Sequence, residues 1–166
     1  DRGCNLACNM CRDVKILPDQ SNVDQAVRDI NSALGMGSLS EISFSGAGEI
    51  FIMAKIVRLL ESEAFSSQNV GINITTNLTH FDQKLWDRIK HNRFENVFVS
   101  ADGATRETYE SIRIGANWDS FQTNVQLLAT LRRNGAIKFL MWSFTVQRAN
   151  IAGVVPAIAL AKAQGF

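Results

Sequence analysis

The 166-residue sequence is poor in most of the features that announce a function through composition. No segment approaches the roughly 18 consecutive apolar residues of a membrane span, and the N-terminus has no apolar stretch of the kind a signal peptide needs. Neither sign of charge dominates: 17 Lys and Arg face 16 Asp and Glu, a formal net charge of +1. That balance gives no electrostatic reason to expect nucleic acid or an acidic membrane as partner. Histidine is scarce, with only His80 and His91, and no Ser/His/Asp or Cys/His arrangement and no phosphate-binding P-loop can be found. Internal repeats, low-complexity stretches and long linkers are also missing. Cysteine is limited to three residues. An odd, clustered set cannot build a disulfide framework, so a reducing, cytoplasmic setting is expected.

What is present is ordinary globular material, 46% hydrophobic and 20% charged, which predicts one domain over residues 1–166. Helical periodicity is expected over 22–34, 51–63, 82–91 and 118–134, with a last helix inside 151–164 where Pro156 must fall in the first turn. Short β-prone runs lie at EISFS (41–45), VGINITT (70–76), NVFVS (96–100) and IKFLMWSFTV (137–146). Strands alternating with amphipathic helices predict an α/β fold of parallel βα repeats, with both strand faces covered by helices. Polar, glycine-bearing segments follow each strand: SGAGE, TTN, SADG and TVQ. In parallel α/β architectures sites are built at that edge, so four loops should meet at one mouth.

All three cysteines lie within CNLACNMC, as Cys4, Cys8 and Cys11. Clustered thiolates suit zinc or an iron–sulfur centre. A closed structural zinc site wants four ligands, so His80 or His91 would have to complete it. Three thiolates alone suit a [4Fe–4S] cluster with one iron left open to another ligand.

CNLACNMC resembles the CxxxCxxC signature of the radical S-adenosylmethionine (SAM) superfamily, and the resemblance continues along the chain. FSGAGEIF resembles that family's glycine-glycine-glutamate loop, though with Ala47 inserted and Ile50 where proline is common. SADG followed by TYESIR resembles the family's fourth strand and the segment after it, with Tyr109 and Arg113 four apart on one helical face. It implies that Cys4, Cys8 and Cys11 hold a [4Fe–4S] cluster whose open iron is chelated by the amino and carboxylate groups of SAM. It further implies that Gly46 and Gly48 let the backbone approach SAM, that Glu49 accepts from its ammonium, and that Ser100 and Arg113 hold its ribose or carboxylate end. Asn77 would line the cavity. Met10, where relatives often carry an aromatic, and Val146 would lie against adenine, with Asn150 just beyond.

The fold implied is a partial (β/α)6 TIM-like barrel whose first and sixth strands lie outside this sequence. The SxDG…TYESIR stretch is most similar to the branch that often carries a C-terminal SPASM or twitch domain. The implied reaction is one-electron cleavage of SAM to a 5′-deoxyadenosyl radical, which abstracts hydrogen from a peptide, protein or small metabolite. A reductant such as flavodoxin or ferredoxin would load the cluster. Two other classes stay open: a non-catalytic iron–sulfur electron carrier and a zinc-stabilised interaction domain. Trp86, Trp118 and Trp142 read as packing residues, Trp142 facing the barrel interior if its parity allows.

Overall fold

The computed structural model describes residues 2–35, 37, 39–46 and 48–166; the Ala47 insertion lies outside them. Four parallel strands form the central sheet in the order of the chain: β2 (Glu41–Phe44), β3 (Gly71–Thr76), β4 (Arg93–Ser100) and β6 (Ile137–Ser143). α1 (Val23–Gly35) precedes them, α2 (Ala54–Leu60), α3 (Glu63–Ser66), α4 (Gln83–Ile89), α5 (Arg106–Ile112) and α6 (Trp118–Arg133) run between them, and α7 (Val154–Ala163) follows. A second, two-stranded antiparallel sheet joins β1 (Ala7–Cys8) to β5 (Arg113–Ile114).

Side-chain parity decides which face of the sheet is packed. Phe44, Ile74, Val97 and Leu140 lie in register across the four strands and are buried on the helix side. The next row, Ser43, Asn73, Asn96 and Phe139, points to the opposite face, where Asn96 Nδ2 donates to Asn73 Oδ1 at 2.5 Å. The strands are therefore covered on one face and largely polar on the other, not buried on both as their apolar runs suggest. Parity also puts Trp142 on the helix side, edge-on to Phe121 and Phe166 at 5.8 and 5.0 Å, rather than in the barrel interior.

Helix boundaries follow local chemistry. Asp82, Thr105 and Asn117 cap α4, α5 and α6, each accepting from a backbone N–H three residues on. Pro156 is the third residue of α7, where its missing N–H costs no helical bond. The helix expected over 51–63 is broken into a 3-10 turn at Ile50–Ile52, then α2 and α3, because Met53 is extended. The strand expected over 137–146 stops at Ser143. Its last rung is Ala101 N–H to Ser143 O, and the Thr145 N–H turns instead to the Asp102 carboxylate.

Candidate functional site

The N-terminal segment is folded back over the C-terminal ends of the strands. Cys4 exchanges two backbone bonds with Ile16, at 2.7 and 3.0 Å, and Cys8 closes a tight turn by accepting from the N–H groups of Cys11 and Arg12. On the far side Cys8 stands opposite Arg113 in the β1–β5 pair, and Asn9 donates to Ile112 O and Ser111 O. The thiols form no disulfide; Cys8 is buried and Cys11 exposed. Burial pushes the Cys8 thiol pKa up, an effect the Arg113 guanidinium opposes.

The glycine loop after β2 approaches this segment closely. A Cβ on Gly48 would lie 2.6 Å from Gly3 O, and the adjacent Glu49 N–H donates to that same carbonyl at 2.8 Å. Gly46 takes φ +130°, a conformation natural only to glycine. The Glu49 side chain is fully buried. It accepts from Thr76 Oγ1 at 2.7 Å, from Asn77 N–H at 2.6 Å and from Phe51 N–H at 3.2 Å. Burial raises its pKa, and those three donors pull the other way.

The loop after β3 reaches back to the cysteines: Asn77 Nδ2 donates to Asn5 Oδ1 at 3.2 Å and lies 4.0 Å from Cys4 Sγ. Asn5 in turn donates to Thr79 Oγ1 at 2.8 Å. Leu78 sits buried at φ +64°, strain of about 1–3 kcal/mol for a non-glycine residue, and its N–H is held by Thr76 Oγ1. After β4, the fully buried Asp102 stands 2.6 Å from Arg113 Nη2.

These elements enclose a cavity of about 140 Å³ lined by Cys4, Cys8, Met10, Cys11, Gly46, Gly48, Glu49, Asn77, Ser100 and Arg113, with Arg12, Thr75 and Thr76 completing the wall. Every sequence-predicted site residue is brought together there except Val146, which is half exposed beyond the end of β6 and faces a different, apolar groove. Three of the four loops line the cavity; TVQ contributes no lining residue, its Thr145 N–H being tied to Asp102 just behind. His80 and His91 are exposed and line no part of the cavity. Sequence reasoning gave no role to Asp102, Thr76 or Asn5. Their signal was positional only: polar residues at strand ends and inside the cysteine run.

The Radical SAM superfamily model matches residues 2–146. The chain belongs to the radical SAM superfamily. Among solved structures, this radical SAM chain is similar to SuiB of Streptococcus suis bound to its precursor peptide SuiA, with a TM-score of 0.71 at 13% identity over 99% of this chain and 35% of that one. SuiB bound to S-adenosylmethionine gives 0.67 at 16% identity, over 98% of this chain and 35% of that one. Native anSMEcpe with bound AdoMet and the Cp18Cys peptide gives 0.66 at 20%, covering 100% of this chain and 46% of that one. The radical SAM chain thus spans between about a third and a half of these relatives, and at such identities the likeness is one of fold. No curated protein matches it in sequence. Among its described residues no helix is long and apolar enough to cross a membrane.

Proposed function

We propose that this chain is the core of a radical SAM enzyme, with Cys4, Cys8 and Cys11 holding a [4Fe–4S] cluster and the cavity beside them receiving SAM. The observation that carries the reading is the meeting, on one small cavity, of three free thiols, a glycine-lined approach, a buried carboxylate and a buried guanidinium. The donor set fits the cluster. Among the described residues no three Cys, His, Asp or Glu side chains converge tightly enough for a single metal ion. A cluster that takes each thiolate on a different iron needs its sulfurs spread wider than one ion does. Zinc would also want a fourth protein ligand, and neither histidine lines the cavity.

When bound, the cluster and SAM supply one-electron chemistry, in which cleavage of a SAM C–S bond yields a 5′-deoxyadenosyl radical that abstracts hydrogen from a substrate. The chain's own residues bind and orient. Cys4 and Cys8 are fixed by backbone pairing to Ile16 and Arg113, which pre-sets their separation. Gly46 leaves open space for a ligand's amino-acid end, whereas Gly48 lets the Gly3 carbonyl pack close, and Arg113 and Ser100 offer donors to a carboxylate or ribose hydroxyl. Glu49 spends three acceptor positions inside the protein. Its principal task is to hold the glycine loop against β3, with one lone pair left for an ammonium. Met10 can cover an aromatic ring face. Two of the structural relatives hold a peptide, which supports a peptide substrate. Electrons would come from a flavodoxin- or ferredoxin-type donor through the exposed Cys11 side of the loop.

The test is electron paramagnetic resonance of the anaerobically reconstituted, dithionite-reduced protein with and without SAM. A [4Fe–4S]⁺ signal that changes on adding SAM is expected. A cluster signal indifferent to SAM would make the chain an electron carrier, and absence of iron would return the site to zinc. Arg113→Lys, which keeps a cation beside Asp102 but loses the planar fork, should weaken SAM binding by about 1–3 kcal/mol with the cluster intact.

A further inference from the structure

Asp102 lines no part of the cavity, yet it is fully buried and makes polar contacts with two separate segments, at Arg113 and at Thr145. Its Oδ2 lies 2.6 Å from Arg113 Nη2, and its Oδ1 accepts from Thr145 N–H at 2.7 Å. Its backbone carbonyl accepts from Asn150 Nδ2 at 2.9 Å. Asn150, itself buried, also donates to Thr145 O at 2.9 Å and accepts from Gln147 N–H at 2.8 Å. The loop after β6 is therefore a closed ring of bonds with Asp102 as its outside member. On the other side, Arg113 belongs to β5 and stands opposite Cys8. Arg113 Nε and Asp102 Oδ2 are both buried without a hydrogen-bond partner, so what joins the two side chains is the 2.6 Å ion pair through Nη2.

We propose that Asp102 is the positioning residue of this site: it locks the Arg113 guanidinium beside the cysteine loop and the 144–150 loop into one rim, so that neither shifts without the other. A carboxylate is needed for this. It offers two acceptor oxygens, one for a cation and one for a backbone N–H, whereas an asparagine in the same pose turns a donor towards either the guanidinium or the Thr145 N–H. Glutamate is longer by a methylene and has no room in a fully buried position. The lock between the two segments stands on geometry alone; its effect on ligand rests on the proposed SAM reading.

The experiment compares Asp102→Asn and Asn150→Ala with the wild-type chain in two ways. Amide hydrogen exchange of the cluster-free protein reads the lock. In Asp102→Asn, exchange should quicken at least tenfold in both 111–115 and 144–150 while β3 and α6 keep their protection. In Asn150→Ala, which leaves the Asp102–Arg113 pair in place, loosening of 144–150 should spread to 111–115. Loosening confined to one segment in either variant overturns the lock, and Asn150→Ala decides the matter should Asp102→Asn fail to fold. Ligand binding to the reconstituted protein reads the consequence. Asp102→Asn should weaken SAM at least tenfold but 5′-methylthioadenosine, which has no amino-acid end, less than twofold. Equal loss of both ligands would mean general disruption and overturn positioning through Arg113. Wild-type protein that binds neither ligand would end the SAM reading and leave the exchange result to decide the lock.

Discussion

The rim of the cysteine cavity and the flank formed by β6 and α7 are held together by different physics. At the rim, short polar bonds join residues far apart in sequence: Glu49 with Thr76 and Asn77, Asn77 with Asn5, Asp102 with Arg113 and Thr145. On the flank, a groove of about 630 Å³ is walled by Phe98, Leu140, Met141, Val154, Ile158 and Phe166, and α7 buries only Ala157 and Ala161. Directional bonds fix atoms to fractions of an ångström, which a site for chemistry requires. Apolar contact is tolerant of shape and supplies stability without specifying geometry. Damage to the two regions should therefore register in different measurements.

The sharpest way to test that separation is Cys8→Ala. Removing one small buried thiol should abolish cluster assembly, read as loss of iron and of brown colour, while the helical far-ultraviolet signal persists. Leu140→Ala on the flank should do the reverse. Deleting a buried leucine costs about 2–5 kcal/mol of stability in chemical denaturation, with SAM affinity of the folded fraction unchanged. Gly48→Ala attacks the rim by volume. Its new methyl would meet Gly3 O at 2.6 Å, so the loop must shift at a cost of about 1–3 kcal/mol, and SAM affinity should fall with it.

A smaller effect distinguishes the regions by pH. Burial holds the Glu49 pKa above the ordinary glutamate value, so the folded chain binds this proton more tightly than the unfolded chain does. Its contribution to stability is fully present below the ordinary glutamate pKa and is lost as pH rises from there through the raised folded value. Denaturation of cluster-free protein across that window should show the decline, and Glu49→Ala should flatten it. The smallest effect is expected at Val146. Because it stands outside the cavity, Val146→Ala should leave SAM binding within about a factor of two, well under 1.4 kcal/mol.

Much of this contrast was legible in the sequence, because the thiol spacing, the glycine loop and the strand–helix alternation are local patterns. Every predicted cavity residue but one arrived at one place because the strands are parallel and their C-terminal ends must share an edge. Val146 falls outside the cavity lining because β6 ends at Ser143, earlier than its apolarity suggests. IKFLMWSFTV looks uniformly β-prone, and nothing in it reveals that a carboxylate 43 residues earlier captures the Thr145 N–H. The β1–β5 pair was invisible for the same reason: two-residue strands carry no periodicity, and their pairing is set entirely by tertiary approach. The break at Met53 likewise follows from Glu49 being drawn inward to β3, a demand that helical spacing over 51–63 does not record.

The pairing of the cysteine loop with β5 also dictates an order of events during synthesis. Asn9 and the Ser111 carbonyl it binds are 102 residues apart. At ribosomal rates of about 5–20 residues per second, roughly 5–20 s separate their polymerisation. During that interval the three thiols exist ahead of the wall that will face them, on an unfinished chain. The cluster proposed for them would therefore reach its final geometry only after translation has passed Arg113. Oxidants and stray metal ions compete for the thiols until then.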